Sequence, residues 1–394
     1  MSRMPSLRAY GSLPLLFLAP FVTTALGAGA SGCQSGELAN PDGGVSEASL
    51  TTSSSGGTST SGSGGKGGSG GSGATSSGGG STSGTGAPIV TLATGQNGFA
   101  LAVDATRVYW ANGGTYEGSA LDGSQTYVPG QVMAVDIGGG TPVTLAANQD
   151  HPSYVAVDDT AVYWTNAGSS AMGGAPATSG EVMSVPRGGV SPTVLSSGRA
   201  APGAIAGRNG VLYWLDTGTA ALLSMPVTGG RPQTLATARA FGISGITVDA
   251  SHVYWPDGNQ GMGVFATPLD GGTTTTLAPG ANAPLGLAVD TTTLYFSLEI
   301  ANPGAVMSVP LAGGAPVTLA TSWATDYGIA IDDAKVYWVV PGQKENGSIM
   351  SVPKGGGGPV MLATGPWSPF GLAVDAKNLY WTTREGDVLE MAKP

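Results

Sequence analysis

The chain predicts an all-β fold, a seven-bladed β-propeller of four-stranded blades, and three observations carry that prediction. A Tyr followed by an aromatic recurs seven times, at Tyr109, Tyr163, Tyr213, Tyr254, Tyr295, Tyr337 and Tyr380. The successive intervals are 54, 50, 41, 41, 42 and 43 residues, close to the roughly 40 to 45 of a propeller blade. The repeating region also opens on the fourth strand of a unit and stops after the third strand of another, so its two ends complete one blade. A six- or eight-bladed ring is the alternative count.

Taken from the N-terminus, residues 1–32 read as an export signal. Arg3 and Arg8 precede an apolar run from Leu13 to Ala30 that Pro20 interrupts. Ala30-Ser31-Gly32-Cys33 resembles a bacterial lipoprotein box, which implies lipidation of Cys33. The rival cleavage site, Ala28-Gly29-Ala30, would release a soluble secreted or periplasmic protein. Residues 33–87 form the expected tether. Positions 51 to 86 hold only Ser, Gly and Thr apart from Lys66 and Ala74 and contain 15 of the 67 glycines; such a segment cannot bury apolar surface and is expected to be disordered.

The propeller is expected over residues 88–394. It opens with Pro88-Ile-Val-Thr-Leu-Ala93, a fourth-type strand, which should pair with the last blade and close the ring. Each unit then runs through a first strand such as Gly371-Leu-Ala-Val-Asp375 and a second such as Asn378-Leu-Tyr-Trp381. A third follows, as in Asp387-Val-Leu-Glu-Met391, and in earlier units a Gly-Gly turn leads into a fourth. The Tyr-Trp pairs should fill the wedge between blades. The Asp that ends the first strand in six of the seven units should cap the following turn. A group repeated this often is structural rather than catalytic, and the methionines Met133, Met183, Met225, Met307 and Met350 are read as packing.

The segment Gly-Leu-Ala-Val-Asp-x-x-x-Leu-Tyr-Trp-Thr at 371–382 is similar to the YWTD (LDL-receptor class B) and NHL-like repeats. The resemblance implies a propeller and leaves function open, since the fourth motif residue is not kept.

Composition limits the function further. One Cys and two His leave no disulfide framework and little for a metal centre. A net charge of −10 with 15 Lys and Arg argues against nucleic acid. No cofactor or metal is expected, no catalytic motif is found, and a monomer is expected. Function should lie where the repeats differ. The second-to-third-strand loops of the first two units are long, 21 residues (111–131) and 17 residues (165–181). They share a face with the inter-blade loops. Candidate binding residues there are Phe99, Tyr116, Glu117, Tyr127, His151, Tyr154, Arg199, Arg239, Phe241, Trp323, Asp326, Tyr327, Trp367 and Phe370. Tyr154 stands where aligned positions carry glycine or alanine, so its ring should project across the channel mouth. The expected function is a lipid-anchored binding or scaffolding module of the bacterial envelope that recognises a protein or glycan. The alternative is a propeller hydrolase or lyase at the channel mouth around Asp150, His151 and Asp326.

Overall fold

The computed structural model describes residues 82–84, 87–117, 126–169, 178–237, 245–257, 263–281, 283–298, 304–322, 328–342 and 346–394. The export signal, Cys33 and most of the tether lie outside them. The described residues form seven antiparallel blades and contain no helix.

Blade one is built from Gly98–Val103, Arg107–Asn112, Gly130–Asp136 and Val143–Gln149, in that spatial order. Blade two follows with Pro152–Val157, Ala161–Asn166, Gly180–Pro186 and Thr193–Arg199, and blade three with Pro202–Arg208, Val211–Asp216, Ala221–Pro226 and Gln233–Thr237. Blades four, five and six repeat the order from Thr247–Val248, Pro284–Val289 and Ile329–Ile331. In blade seven Pro369–Val374, Asn378–Thr383 and Val388–Ala392 come from the C-terminal end, and the outermost strand is Ile89–Ala93. That strand pairs antiparallel with Val388–Ala392, with Val90 opposite Glu390 and Thr91 opposite Leu389. The expected closure is therefore present, and it removes an open seam that would otherwise expose unpaired backbone groups.

The Tyr-Trp pair explains how the blades hold together. Successive side chains of a strand point to opposite faces, so the Tyr of one blade faces the next blade and the Trp faces the previous one. Tyr109 packs with Trp164, Tyr254 with Phe296, Tyr295 with Trp338 and Tyr337 with Trp381, each within one buried apolar cluster. Tyr163, Trp214, Tyr213 and Trp255 share a larger cluster that spans two interfaces. Tyr380 meets Trp110 across the closing interface. Burying these aromatic rings between sheets supplies the main apolar gain of the ring.

The repeated Asp does more than cap a turn. Oδ1 of Asp104 accepts from the backbone N–H groups of Thr106 and Arg107, while Oδ2 accepts from the Tyr109 hydroxyl at 2.7 Å. The same arrangement recurs at Asp158, Asp249, Asp290, Asp332 and Asp375 with Tyr163, Tyr254, Tyr295, Tyr337 and Tyr380. In blade three the position is held by Arg208, opposite Val211. Among the described residues three interfaces add an ion pair from the following blade: Arg187 to Asp104, Lys354 to Asp290 at 2.7 Å and Lys393 to Asp332 at 2.8 Å.

One departure from expectation concerns the tether. Thr82–Ser83 adds as a fifth strand to the outer edge of blade six, with Thr82 opposite Thr364 and Ser83 opposite Ala363. Gly84 then donates its N–H to Leu362 O at 2.7 Å. Edge addition uses backbone hydrogen bonds alone, so it needs no apolar side chain and leaves no mark in a composition reading. A Cβ on Gly84 would collide with the Met361 carbonyl oxygen, which makes the glycine a requirement of the close approach.

Candidate functional site

The two long loops and the inter-blade loop between blades one and two meet at one rim. Part of the first insertion is a hairpin, in which Thr115–Glu117 pairs with Thr126–Val128 and Tyr116 lies opposite Tyr127. Pairing places Tyr116 and Tyr127 on one face and Glu117 with Thr126 on the other. Glu117 is exposed on that second face, away from the tyrosines.

The tyrosine face leans on His151. The imidazole stacks on the Tyr127 ring, with centroids 4.0 Å apart and planes 6° from parallel. The Tyr127 hydroxyl accepts from the His151 backbone N–H at 2.7 Å and donates to Gly113 O at 3.0 Å. Burial pushes the Tyr127 phenol above its usual range, and the Asp150 charge adds to that shift. His151 Nδ1 is 2.7 Å from Asp150 Oδ1, and Nε2 is 3.1 Å from the Tyr116 hydroxyl. A carboxylate only accepts, so Nδ1 carries the proton, and in the neutral ring Nε2 accepts from Tyr116. Asp150 is fixed in turn by the second insertion, since Ser169 donates its backbone N–H at 2.9 Å and its hydroxyl at 2.8 Å.

Backbone geometry aims the imidazole. His151 has φ 55° and precedes Pro152, and Ala201 and Ala283 precede Pro202 and Pro284 with φ 51° and 46°. The left-handed residue is thus a feature of these inter-blade loops, and blade two is where it carries an imidazole. Tyr116 remains 47% exposed above this assembly, so the rim offers an aromatic ring to solvent.

The other aromatic candidates lie deeper. Tyr154 is buried in the cluster of blades two and three, edge-on to Phe99 at 5.4 Å. Phe99 in turn meets Phe370 at 4.4 Å, and the Arg384 guanidinium stands 5.3 Å from the Phe370 ring. Trp367 is buried against Trp381 at 5.6 Å. These four rings join the innermost strands of blades seven, one and two and the loop before blade seven, where Tyr154, Trp367 and Phe370 are buried and Phe99 is half-buried. Arg239, Phe241, Trp323, Asp326 and Tyr327 lie outside the described residues, as do Asp122 and Met172 of the insertions.

A group of which only Arg199 was singled out from sequence lies at the same end of the molecule. In blade two the Trp164 indole N–H donates to Gln149 Oε1 at 3.0 Å and Asn166 Oδ1 at 3.1 Å, and Asn166 Nδ2 donates to the same Gln149 oxygen. Gln96 and Asn112 repeat the arrangement around Trp110. In blade three the corresponding residues are Arg199 and Asp216. Asp216 is 2% exposed, and its Oδ1 and the Trp214 indole nitrogen make no hydrogen bond among the described residues. Burial raises the Asp216 carboxyl above its ordinary range, and the charge of Arg199 opposes the shift. Arg199 itself donates to Ser197 O at 3.1 Å. The recurrence of Gln96 and Gln149 shortly before a Tyr-Trp pair is the sequence signal that would have revealed this set.

No group of His, Cys, Asp and Glu among the described residues has the arrangement of a metal site. No protein-family model matches the chain, and no curated protein matches it. Among solved structures, virginiamycin B lyase from Staphylococcus aureus, in a catalytically inactive form with quinupristin, aligns with a TM-score of 0.59 and 13% identity, covering 78% of this chain and 100% of that one. A streptogramin B lyase aligns with a TM-score of 0.59 and 10% identity, covering 77% of this chain and 97% of that one. Identities this low show a shared propeller fold and nothing about activity.

Proposed function

We propose that the protein is a lipid-anchored, extracytoplasmic binding or scaffolding module of the bacterial envelope, tethered through Cys33 and recognising a protein or glycan at the rim of blades one and two. The observation that carries this reading is the rim assembly: an exposed Tyr116 held by His151, Asp150 and Tyr127, built jointly from two insertions and one inter-blade loop. An aromatic ring fixed before binding loses little entropy on contact. The reading is tested by shortening the 111–131 insertion to the length found in the other blades and comparing capture from envelope extract. Loss of partners captured by the wild type is expected, and unchanged capture would remove the rim as the binding site.

A second reading, a hydrolase or lyase at the same mouth, draws on one observation. His151 stands between a carboxylate and a hydroxyl, the arrangement of a base oriented by a third group. The lyases that share the fold make quinupristin a suitable substrate to try. Turnover of quinupristin by the wild type, abolished in His151→Ala, would favour this reading over the first.

A further inference from the structure

The hydrogen-bond inventory of the rim restricts the chemistry of what it binds, on the premise that the rim is the binding site. In the neutral state each proton of the relay is committed inward. His151 Nδ1–H is directed to Asp150, and the Tyr116 hydroxyl proton is directed to Nε2. The Tyr127 hydroxyl proton goes to Gly113 O. What Tyr116 turns toward solvent is therefore a hydroxyl oxygen that accepts and an aromatic face of negative quadrupole. Behind it stands Asp150, which forms no ion pair with a Lys or Arg among the described residues. Its neighbours are His151 and Ser169. A net charge of −10 adds a long-range field of the same sign.

Ring geometry narrows the ligand further. An ammonium cage needs several open faces, but one Tyr127 face is covered by His151 at 4.0 Å. Tyr116 sits tilted to both neighbours, 5.2 Å from Tyr127 and 6.0 Å from His151. One open ring is a stacking platform, suited to the C–H face of a pyranose, with an acceptor at its edge. We propose that the rim binds an amino sugar, stacking the pyranose on Tyr116 and accepting from its ammonium and hydroxyl groups.

The test titrates the full chain with a trisaccharide of glucosamine, with its fully N-acetylated counterpart and with trilysine, following heat or NMR shifts. The acetylated sugar keeps the skeleton but lacks the charge. Binding of the amino form about tenfold tighter than the acetylated form is expected. Tyr116→Ala should weaken the amino form by about tenfold. Asp150→Asn should weaken the amino form more than the acetylated form and so narrow the preference. Unchanged melting temperatures in both variants would show that the fold is kept. Equal binding of the two sugars, binding of trilysine alone, no binding of either sugar, or full binding by Tyr116→Ala would each overturn the assignment. Failure here with insertion-dependent capture intact overturns the ligand class, whereas capture that ignores the insertion overturns the site itself.

Discussion

At the residue scale, the tightest constraints come from carboxylates whose surroundings differ. Burial works to raise Asp104 and Asp290, but hydrogen bonds outweigh it. Those from Tyr109, Thr106 and Arg107 hold Asp104 at about 2, and those from Lys354, Thr292 and Thr293 hold Asp290 at about 2. Both values lie below the ordinary 3.9 or so of an unfolded Asp. Their stabilisation is therefore complete above about pH 4 and is lost as pH falls toward 2. Urea unfolding from pH 5 to 2 should show stability falling across that window, and a flat profile would contradict the role given to these caps. Asp216 has the opposite sign. Its carboxyl is raised by burial, so the charged form is disfavoured in the fold, and the cost is present at neutral pH and vanishes as acid protonates the group. Asp216→Asn places there the side chain that Asn166 supplies to Trp164. It should stabilise the protein by about 1 kcal/mol at pH 7 and by nothing at pH 3, measured as the shift in urea midpoint. Trp164→Phe, by contrast, removes an indole N–H that donates to Gln149 and Asn166, and should cost about 1 kcal/mol more than Trp214→Phe, whose indole N–H has no partner among the described residues to lose.

At the element scale, blade count and strand order were legible because each rests on a pattern that recurs along the chain, and closure because the repeat opens on a fourth strand and stops after a third. A Tyr-Trp interval or a Gly-Gly turn needs no long-range information to be read. The pairing of six of the seven Tyr hydroxyls with the Asp five residues before them was also implicit in the repeat, although only the Asp caps were expected. The edge strand Thr82–Ser83 was not legible, because its pairing is made by backbone groups and its residues match the Ser/Gly/Thr tract around them. The rim was half legible. Loop length marked the insertions, and His151 and Tyr116 were among the candidates, but their junction depends on a contact between residues 35 apart. The burial of Tyr154 was not foreseen, because a bulky residue in place of glycine reads equally as a projection or as a filler. These differences set a paired deletion. Removing residues 1–94 takes away Ile89–Ala93, which covers Leu389 and includes buried Leu92 and Ala93. It should cost at least about 3 kcal/mol, seen as a large drop in melting temperature. Gly84→Val should instead release only the fifth strand of blade six, leaving the melting temperature nearly unchanged and raising amide exchange along Val360–Gly365. Equal effects of the two changes would contradict the roles given to the two N-terminal strands.

At the scale of the whole molecule, the ring is closed by Ile89–Ala93, and its two long second-to-third-strand insertions stand side by side on blades one and two. Repetition explains most of the 394 residues structurally and leaves the non-repeating rim as the place where recognition is proposed. The proposed anchor is separable from the rim. Cys33→Ala should move the protein from the membrane to the soluble fraction without altering capture by the rim, and unchanged fractionation would remove lipidation from the account. The most direct measurement concerns the rim itself: a photo-crosslinking amino acid placed at Tyr116, and separately at Gly188 in the third-to-fourth-strand turn of blade two on the opposite face, followed by crosslinking in intact envelopes. Adducts from position 116 and none from position 188 are predicted, whereas equal labelling at both positions, or adducts from 188 alone, would contradict a binding site at the junction of blades one and two.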